Sequence, residues 1–238
     1  MPKIHTEWGL KGVEALRSRV SVFVIVDVLS FSTAVDVAVS RGAQIIPFPF
    51  GDDERAQSAA QKAGAYCAGP RASVAQFSLS PATMTRLNPG DQLLLPSPNG
   101  STLSLAGGAV PVLAGCFRNA IAVARKAHEI AQGGDIGIIP AGERWPDDSL
   151  RPAIEDLIGA GSIIDALELP ISAEARVAKD AFRAALTNLP NLIRLSVSGQ
   201  ELIQRGFPED VEIALELNGS AAVPLLREGC FSNANRLS

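Results

Sequence analysis

The chain has 238 residues, with 21 Lys+Arg against 25 Asp+Glu for a net charge of −4, and 47% of its residues are hydrophobic. That apolar share excludes a disordered chain and supplies a substantial core. The acidic balance gives no electrostatic footprint for nucleic acid or an anionic membrane. No apolar run reaches the roughly 18 residues that span a bilayer, and the first residues carry no signal-peptide core, so no membrane association and a cytoplasmic location are expected.

In chain order, residues 22–27 (VFVIVD) form a continuous β-branched run that predicts a buried, parallel strand ending in an acid. Ser32 and Thr33 then open a helix over 34–40, stopped by Gly42. A second strand is expected at 44–48. A helix from Asp52 to Ala63 follows, with acids in its first turn, and then a third strand at 65–68. After a long polar loop come strands at 92–95 and 110–114. A helix over 119–130 ends at Gly133-Gly134, and a sixth strand occupies 136–140. Helices are expected at 154–167, 173–187, 200–205 and 209–217, then a short strand at 222–224 and a turn at Arg227-Glu228-Gly229. This alternation predicts an α/β fold: a layered, mostly parallel sheet with helices on both faces and a helical C-terminal third. No Gly/Ser linker divides the chain, so one domain over residues 1–238 is expected, with any subdomain boundary near 150–170.

Three cysteines, Cys67, Cys116 and Cys230, are widely spaced and read as free thiols. Of the two histidines, His128 lies mid-helix with a structural reading and His5 lies at an edge terminus, which leaves no zinc pattern. There is no P-loop, no G-x-G-x-x-G and no G-x-S-x-G, which disfavours nucleotide binding and serine hydrolysis. Any chemistry then falls to carboxylates, hydroxyls, arginines, backbone amides or a bound metal.

In open α/β sheets ligands bind beyond the carboxyl ends of the strands. The residues following the predicted strands are Asp27, Arg71, the run Ser97-Pro98-Asn99-Gly100-Ser101-Thr102, Arg118-Asn119, and the pair Glu155-Asp156 that opens a helix. Ser97, Asn99, Gly100 and Ser101 are either an ordinary strand–turn–helix connection or an oxyanion cradle at a helix start. Arg118 and Arg71 are either surface ion-pair partners or guanidinium contacts for phosphate or sulfonate. Asp27 is a helix cap or a metal ligand or catalytic acid. Glu155 and Asp156 compensate a helix dipole, or one of them faces the cleft. Asp27 with Glu155 or Asp156 meets what Mg2+ requires, namely one or two carboxylates plus water and substrate phosphate.

These segments resemble the magnesium-dependent 2-phosphosulfolactate phosphatases of coenzyme M biosynthesis. The matching stretches are 24–48, SPNGSTL (97–103), AGCFRNAIAVA (114–124), AIEDLIGAGSIIDAL (153–167) and 198–231, with the second and fourth the most specific. The resemblance implies a layered α/β enzyme, a phosphoric monoester hydrolase that takes the phosphate from C2 of a three-carbon sulfonated acid to give 3-sulfolactate and phosphate. It also implies Mg2+ as cofactor, a small phosphorylated acid as partner and a homodimer. By matched position Asp27, Glu155 and Asp156 are the metal residues, with Asp27 and Asp156 also catalytic. Ser97, Asn99, Gly100 and Ser101 form the cradle, and Arg118, Asn119 and Arg71 contact the substrate. The nucleophile is either a metal-activated water or Asp27 itself. The family pattern departs at Ser30, where it carries Arg, at the reduced loop Gly69-Pro70-Arg71-Ala72, at Leu79-Ser80-Pro81, and at Asn218, where it carries an acid. Two fewer charges at an anion site motivate the alternative of a non-catalytic anion-binding homologue.

Overall fold

The structure is a computed structural model describing residues 3–71 and 75–236. Its first elements are β1 (Ile4–Thr6), α1 (Gly9–Leu16), β2 (Val20–Val26), α2 (Phe31–Ser40), β3 (Gln44–Pro49), α3 (Asp53–Ala63) and β4 (Tyr66–Cys67). They are followed by α4 (Pro81–Met84), β5 (Gln92–Ser97), α5 (Gly100–Ala106), β6 (Val112–Gly115), α6 (Ala120–Ala131) and β7 (Asp135–Pro140). A hairpin of β8 (Glu143–Arg144) and β9 (Leu150–Arg151) precedes α7 (Ile154–Asp165). The last part holds α8 (Ala173–Ala185), α9 (Leu189–Leu195), α10 (Val197–Gln204), α11 (Pro208–Ala214), β10 (Pro224–Arg227) and β11 (Cys230–Asn233).

Local chemistry sets many of these limits. Asp52 caps α3 by accepting a hydrogen bond from Arg55 N, and Gly64 ends it with a φ of +65°. Ser172 and Ser196 cap α8 and α10 in the same way. The expected helix over 173–187 stops earlier, and a separate α9 starts with Pro190 in its first turn, where a missing N–H costs nothing. β1 and α1 were not expected from the sequence, because a three-residue strand shows no period. β1 exists by pairing in parallel with β7 at the edge of the sheet.

One sheet runs β1-β7-β2-β6-β10-β11-β3-β5-β4. It is mostly parallel and carries helices on both faces, as the alternation of elements implied. The C-terminal hairpin, expected only as a short strand and turn, sits in the middle of it. β10 pairs antiparallel with β6, and β11 pairs antiparallel with β3. The two parallel halves therefore run in opposite directions. The loops beyond the carboxyl ends of β2 and β5 nevertheless meet: Gly100 N lies 3.0 Å from Asp27 Oδ2.

β2 is buried on both faces, which explains its unbroken apolar run. Val22, Val24 and Val26 join a core with α6, α7 and α8. Phe23 and Ile25 join a second core with α1, α2 and α5. α3 covers a smaller third cluster around Leu94. α7 needs small residues: a Cβ on Gly161 would lie 2.1 Å from the Ala178 carbonyl oxygen, and one on Gly159 would lie 2.6 Å from Val28 Cγ2. α7 therefore packs close enough to the end of β2 for its first turn to reach the Asp27 turn.

Phe231 of β11 is fully buried, stands opposite Ile45 and meets the Phe31 ring edge-on at 6.0 Å. Phe231→Ala is expected to destabilise the chain by about 3–5 kcal/mol. Urea unfolding followed by circular dichroism measures this, and a loss below about 1 kcal/mol would show that the central hairpin does not hold the two halves together.

Candidate active site

Asp27 directly follows β2 and is 6% exposed. Its Oδ1 accepts from Phe31 N at 3.1 Å and its Oδ2 from Gly100 N at 3.0 Å. Gly100 is required by this approach, because a Cβ there would stand 2.1 Å from Phe31 Cδ1. Asp156, in the first turn of α7, does the same for two other loops. Its Oδ1 accepts from Val28 N at 2.7 Å and its Oδ2 from Gly142 N at 2.9 Å. Glu155 beside it is 2% exposed, and among the described residues no hydrogen bond or ion pair reaches its carboxylate. Adjacent positions on one helix turn thus divide the work: Asp156 holds backbone, and Glu155 is left bare.

A fourth carboxylate, Glu143 of β8, was not among the residues singled out from the sequence. It is half-buried and accepts from Asn99 Nδ2 at 3.0 Å. Position in the sequence gave one signal, since Glu143 follows the strand at 135–140 as Asp27 follows β2.

The four acids act on one another. Burial pushes the Asp27 carboxyl up to about 6, against the Phe31 and Gly100 amides and the Arg71 charge, while Glu155 adds to the rise. Burial, then the charges of Asp27 and Glu155, raise Glu143 to about 8. Asp156 is raised well above the usual carboxylate range by burial and by the same two neighbours. This is a cluster of hard oxygen donors whose charged forms are disfavoured until a cation neutralises them, which is the donor chemistry that suits Mg2+. Among the described residues no three His, Cys, Asp or Glu side chains are grouped to hold one metal ion between them. A Mg2+ site needs fewer, because water and substrate phosphate complete it.

Two arginines flank the acids. Arg71, with its side chain 8% exposed, donates from Nη2 to Ser30 Oγ at 2.6 Å and to Leu79 O at 3.3 Å. It lies 3.5 Å from Asp210 Oδ2, and its guanidinium stands 5.7 Å from the centre of the Phe207 ring. Ala72 of the same loop lies outside the described residues. On the other side Arg151 bonds Glu201 at 3.2 Å and stacks on Trp145 at 5.8 Å. Ser30 follows a cis peptide bond from Leu29.

The other candidate residues fall as follows. Asn99 joins the acids, with Oδ1 accepting from Arg144 Nε at 3.4 Å. Gly100 N is engaged by Asp27, and Ser101 Oγ donates to Leu95 O at 2.8 Å. Ser97 Oγ is buried, and among the described residues it has no hydrogen-bond partner. Arg118 and Asn119 stand apart from the acids. Arg118 Nε bonds Asp36 at 2.8 Å, and its Nη1 bonds Glu216. Asn119 ties its own turn, accepting from Cys116 N at 2.9 Å and donating to Ala114 O at 3.2 Å. Asn218 also lies elsewhere: its φ is +54° and its Oδ1 accepts from Ile121 N at the start of α6. His5 of the edge strand β1 pairs with Asp135 of its neighbour β7 at 2.8 Å, and His128 is exposed on α6. The three cysteines are free, and burial pushes the Cys116 thiol up to about 12.

The chain is similar to known proteins over most of its length. The family described as 2-phosphosulpholactate phosphatase matches residues 11–229. The 2-phosphosulfolactate phosphatase of Methanothermobacter thermautotrophicus is 31% identical over 210 residues, 87% of each chain. A probable 2-phosphosulfolactate phosphatase of Carboxydothermus hydrogenoformans is 34% identical over 212 residues, 84% of each chain. One of Symbiobacterium thermophilum is 27% identical over 229 residues, covering 91% of this chain and 94% of the relative.

The raised Glu143 carboxyl has a stability consequence. Its folded form keeps a proton, up to about 8, that the unfolded chain releases near 4.5. The stability it contributes is full below the unfolded value and is lost as pH rises through the folded one. Glu143→Gln has no proton to lose and keeps an oxygen for Asn99. In EDTA, the melting temperature of Glu143→Gln relative to wild type is expected to rise steadily from about pH 5 to about pH 9. A difference independent of pH would contradict the burial of this charge.

Proposed function

The chain belongs to the 2-phosphosulfolactate phosphatase family, and from that premise we propose that it is a Mg2+-dependent phosphatase acting on 2-phospho-3-sulfolactate or a closely related phosphorylated 2-hydroxy acid. Water is consumed, the bond between phosphorus and the C2 oxygen breaks, and the 2-hydroxy acid and inorganic phosphate leave. The observation that carries this reading is the convergence of Asp27, Glu143, Glu155 and Asp156 on one buried place flanked by Arg71 and Arg151.

The residues divide by what they already bond. Glu155, with its bare carboxylate, and Asp27 are the metal residues. Mg2+, when bound there, would neutralise phosphoryl charge. Asp156 has both oxygens on backbone N–H groups and serves as a positioning residue for the Val28 and Gly142 turns. Asn99 orients Glu143 against the same acids. Arg71 brings a cation to the phosphoryl oxygens, and fixed charge in a dry site favours the more highly charged transition state. We assign Arg118 and Asn119 to the framework, because their donors are engaged by Asp36, Glu216 and the turn backbone.

The two departures from the family pattern weigh less once placed. Ser30 accepts from Arg71, so a guanidinium stands over that position. Asn218 serves the α6 backbone, and among the described residues no bond joins it to the acids. Both observations favour the enzyme over a non-catalytic binder.

Phosphate release from 2-phospho-3-sulfolactate is expected with Mg2+, to stop in EDTA and to return on adding Mg2+ back. Asp27→Asn is expected to lower kcat by about a hundredfold or more. Turnover that persists without metal, or a fully active Asp27→Asn variant, would overturn the proposal. Binding of the ester with no turnover would establish the binder.

A further inference from the structure

Asp210, the third residue of α11, is 1% exposed and lies outside the elements that carry the four acids of the site. Its Oδ1 accepts from Ser80 Oγ and from Ala82 N at 3.3 Å, both at the start of α4. Among the described residues its Oδ2 accepts no hydrogen bond, and it lies 3.5 Å from Arg71 Nη2. A buried carboxylate with one oxygen anchored and the other left to a single cation is costly unless that cation stays in place.

Arg71 stands between Asp210 and the turn after β2. Its Nη2 donates to Ser30 Oγ at 2.6 Å, and Ser30 directly precedes Phe31, whose N–H is bonded to Asp27. Burial disfavours the Arg71 cation; Asp210 opposes this most, and Asp27 and Glu143 oppose it less. Among the described residues Asp210 is the one carboxylate within ion-pair distance of Arg71. Phe207, just before α11, lies over the guanidinium at 5.7 Å. The start of α11 therefore supplies both a counter-charge and a wall.

α4 packs against both α2 and α11, so the helix that anchors Asp210 also touches the helix that Ser30 precedes. Arg71 is thus pulled by acids from two sides: by Asp210 directly, and by Asp27 and Glu143 at longer range. Without the Asp210 charge, Arg71 would keep Ser30 and Leu79 O, but its counter-charge would come only from the acid cluster. The guanidinium would then be drawn onto the carboxylates that the metal needs. A cation spent in that way is no longer presented to phosphoryl oxygens, and fixed placement of such a charge is what favours the transition state.

We propose that Asp210 is a positioning residue of the phosphatase centre: anchored by Ser80 and Ala82, it holds the Arg71 guanidinium at Ser30 and keeps it from collapsing onto Asp27. The inference rests on the phosphatase reading given above. In this role Asp210 touches no substrate and acts only through Arg71, and Ser80 acts only through Asp210.

The test measures phosphate release from 2-phospho-3-sulfolactate with Mg2+ for wild type, Asp210→Asn, Arg71→Gln and the double variant. Asp210→Asn removes the charge and keeps an oxygen for Ser80 and Ala82. Its kcat is expected to fall about tenfold with KM within about threefold, because misplacing a group by about an ångström costs up to about a hundredfold. In the Arg71→Gln background the same substitution is expected to change kcat by less than about twofold, since the group it acts through is gone. Asp210→Glu, which keeps the charge, should recover part of the loss. A lower melting temperature with kcat unchanged, or equal falls in kcat in both backgrounds, would show a packing role alone and overturn the proposal. If Asp210→Asn does not fold, Ser80→Ala takes its place: kcat is expected to fall about threefold in wild type and to stay constant in Arg71→Gln, and equal changes overturn the proposal. If wild type hydrolyses no ester, the phosphatase reading fails, and calorimetry with inorganic phosphate and Mg2+ decides the positioning role. It stands if Asp210→Asn weakens phosphate binding in wild type and not in Arg71→Gln, and it falls if the two backgrounds respond alike.

Discussion

Asp27 and Asp156 bring the functional end of this fold together by accepting backbone N–H groups, two each, from turns that are far apart in sequence. Taking a carboxylate out of water is expensive, and two oriented amide dipoles per group replace part of what water would give. The same bonds stitch the end of β2 to the starts of α2 and α5 and to the turn after β7. Remaining mutual repulsion is not relieved by any of them. Burial first, and that repulsion after it, raise the carboxyls of Asp27, Asp156 and Glu143. A cluster held in place yet electrostatically unsatisfied is stable only because the surrounding sheet and helices over-determine it, which is the usual condition of a site shaped for a cation or a reaction.

That over-determination traces to the middle of the sheet. The β10–β11 hairpin lies between two parallel halves of opposite direction, yet the loop after β5 reaches the end of β2 through the Gly100–Asp27 hydrogen bond. α2 is buried from Phe31 through Val39. Its first turn carries the Asp27 bonds, and its ring at Phe31 touches both Gly100 and Phe231. Packing of the central hairpin and the geometry of the acids are therefore one problem, because the same helix serves both.

The distribution of cations follows a similar economy of contacts. Arg118 is placed beyond β6, where a guanidinium at a strand end reads as an anion contact, yet it neutralises the fully buried Asp36. Arg71 comes from an irregular loop and reaches the acids because Asp210 of α11, Phe207 and Ser30 fix it. Both arginines pair with a buried acid, Arg118 with Asp36 and Arg71 with Asp210, and they differ in that the Arg71 charge also acts on Asp27. The Ser97–Thr102 run is likewise engaged: its Gly100 amide serves Asp27 and its Ser101 hydroxyl serves Leu95 O.

The sequence by itself determined the strands buried on both faces, the capped helices, the α/β class and the candidacy of Asp27, Asn99, Glu155 and Asp156. Each of these is written in local pattern: a β-branched run, a capping residue, an acid at a strand or helix end. Motif order also carried the family, which the match over residues 11–229 shows. Only the tertiary structure decided where β11 inserts, because a register of one paired residue with β3 has no local signature. Only it separated Glu155 from Asp156, since both occupy one helix turn and differ in which N–H groups lie within reach. It added Glu143, whose environment comes from Asn99 and from acids far from it in sequence. It also chose Arg71 over Arg118 as the cation beside Asp27, because burial and pairing are properties of neighbours in space, and residue type along a chain does not encode them.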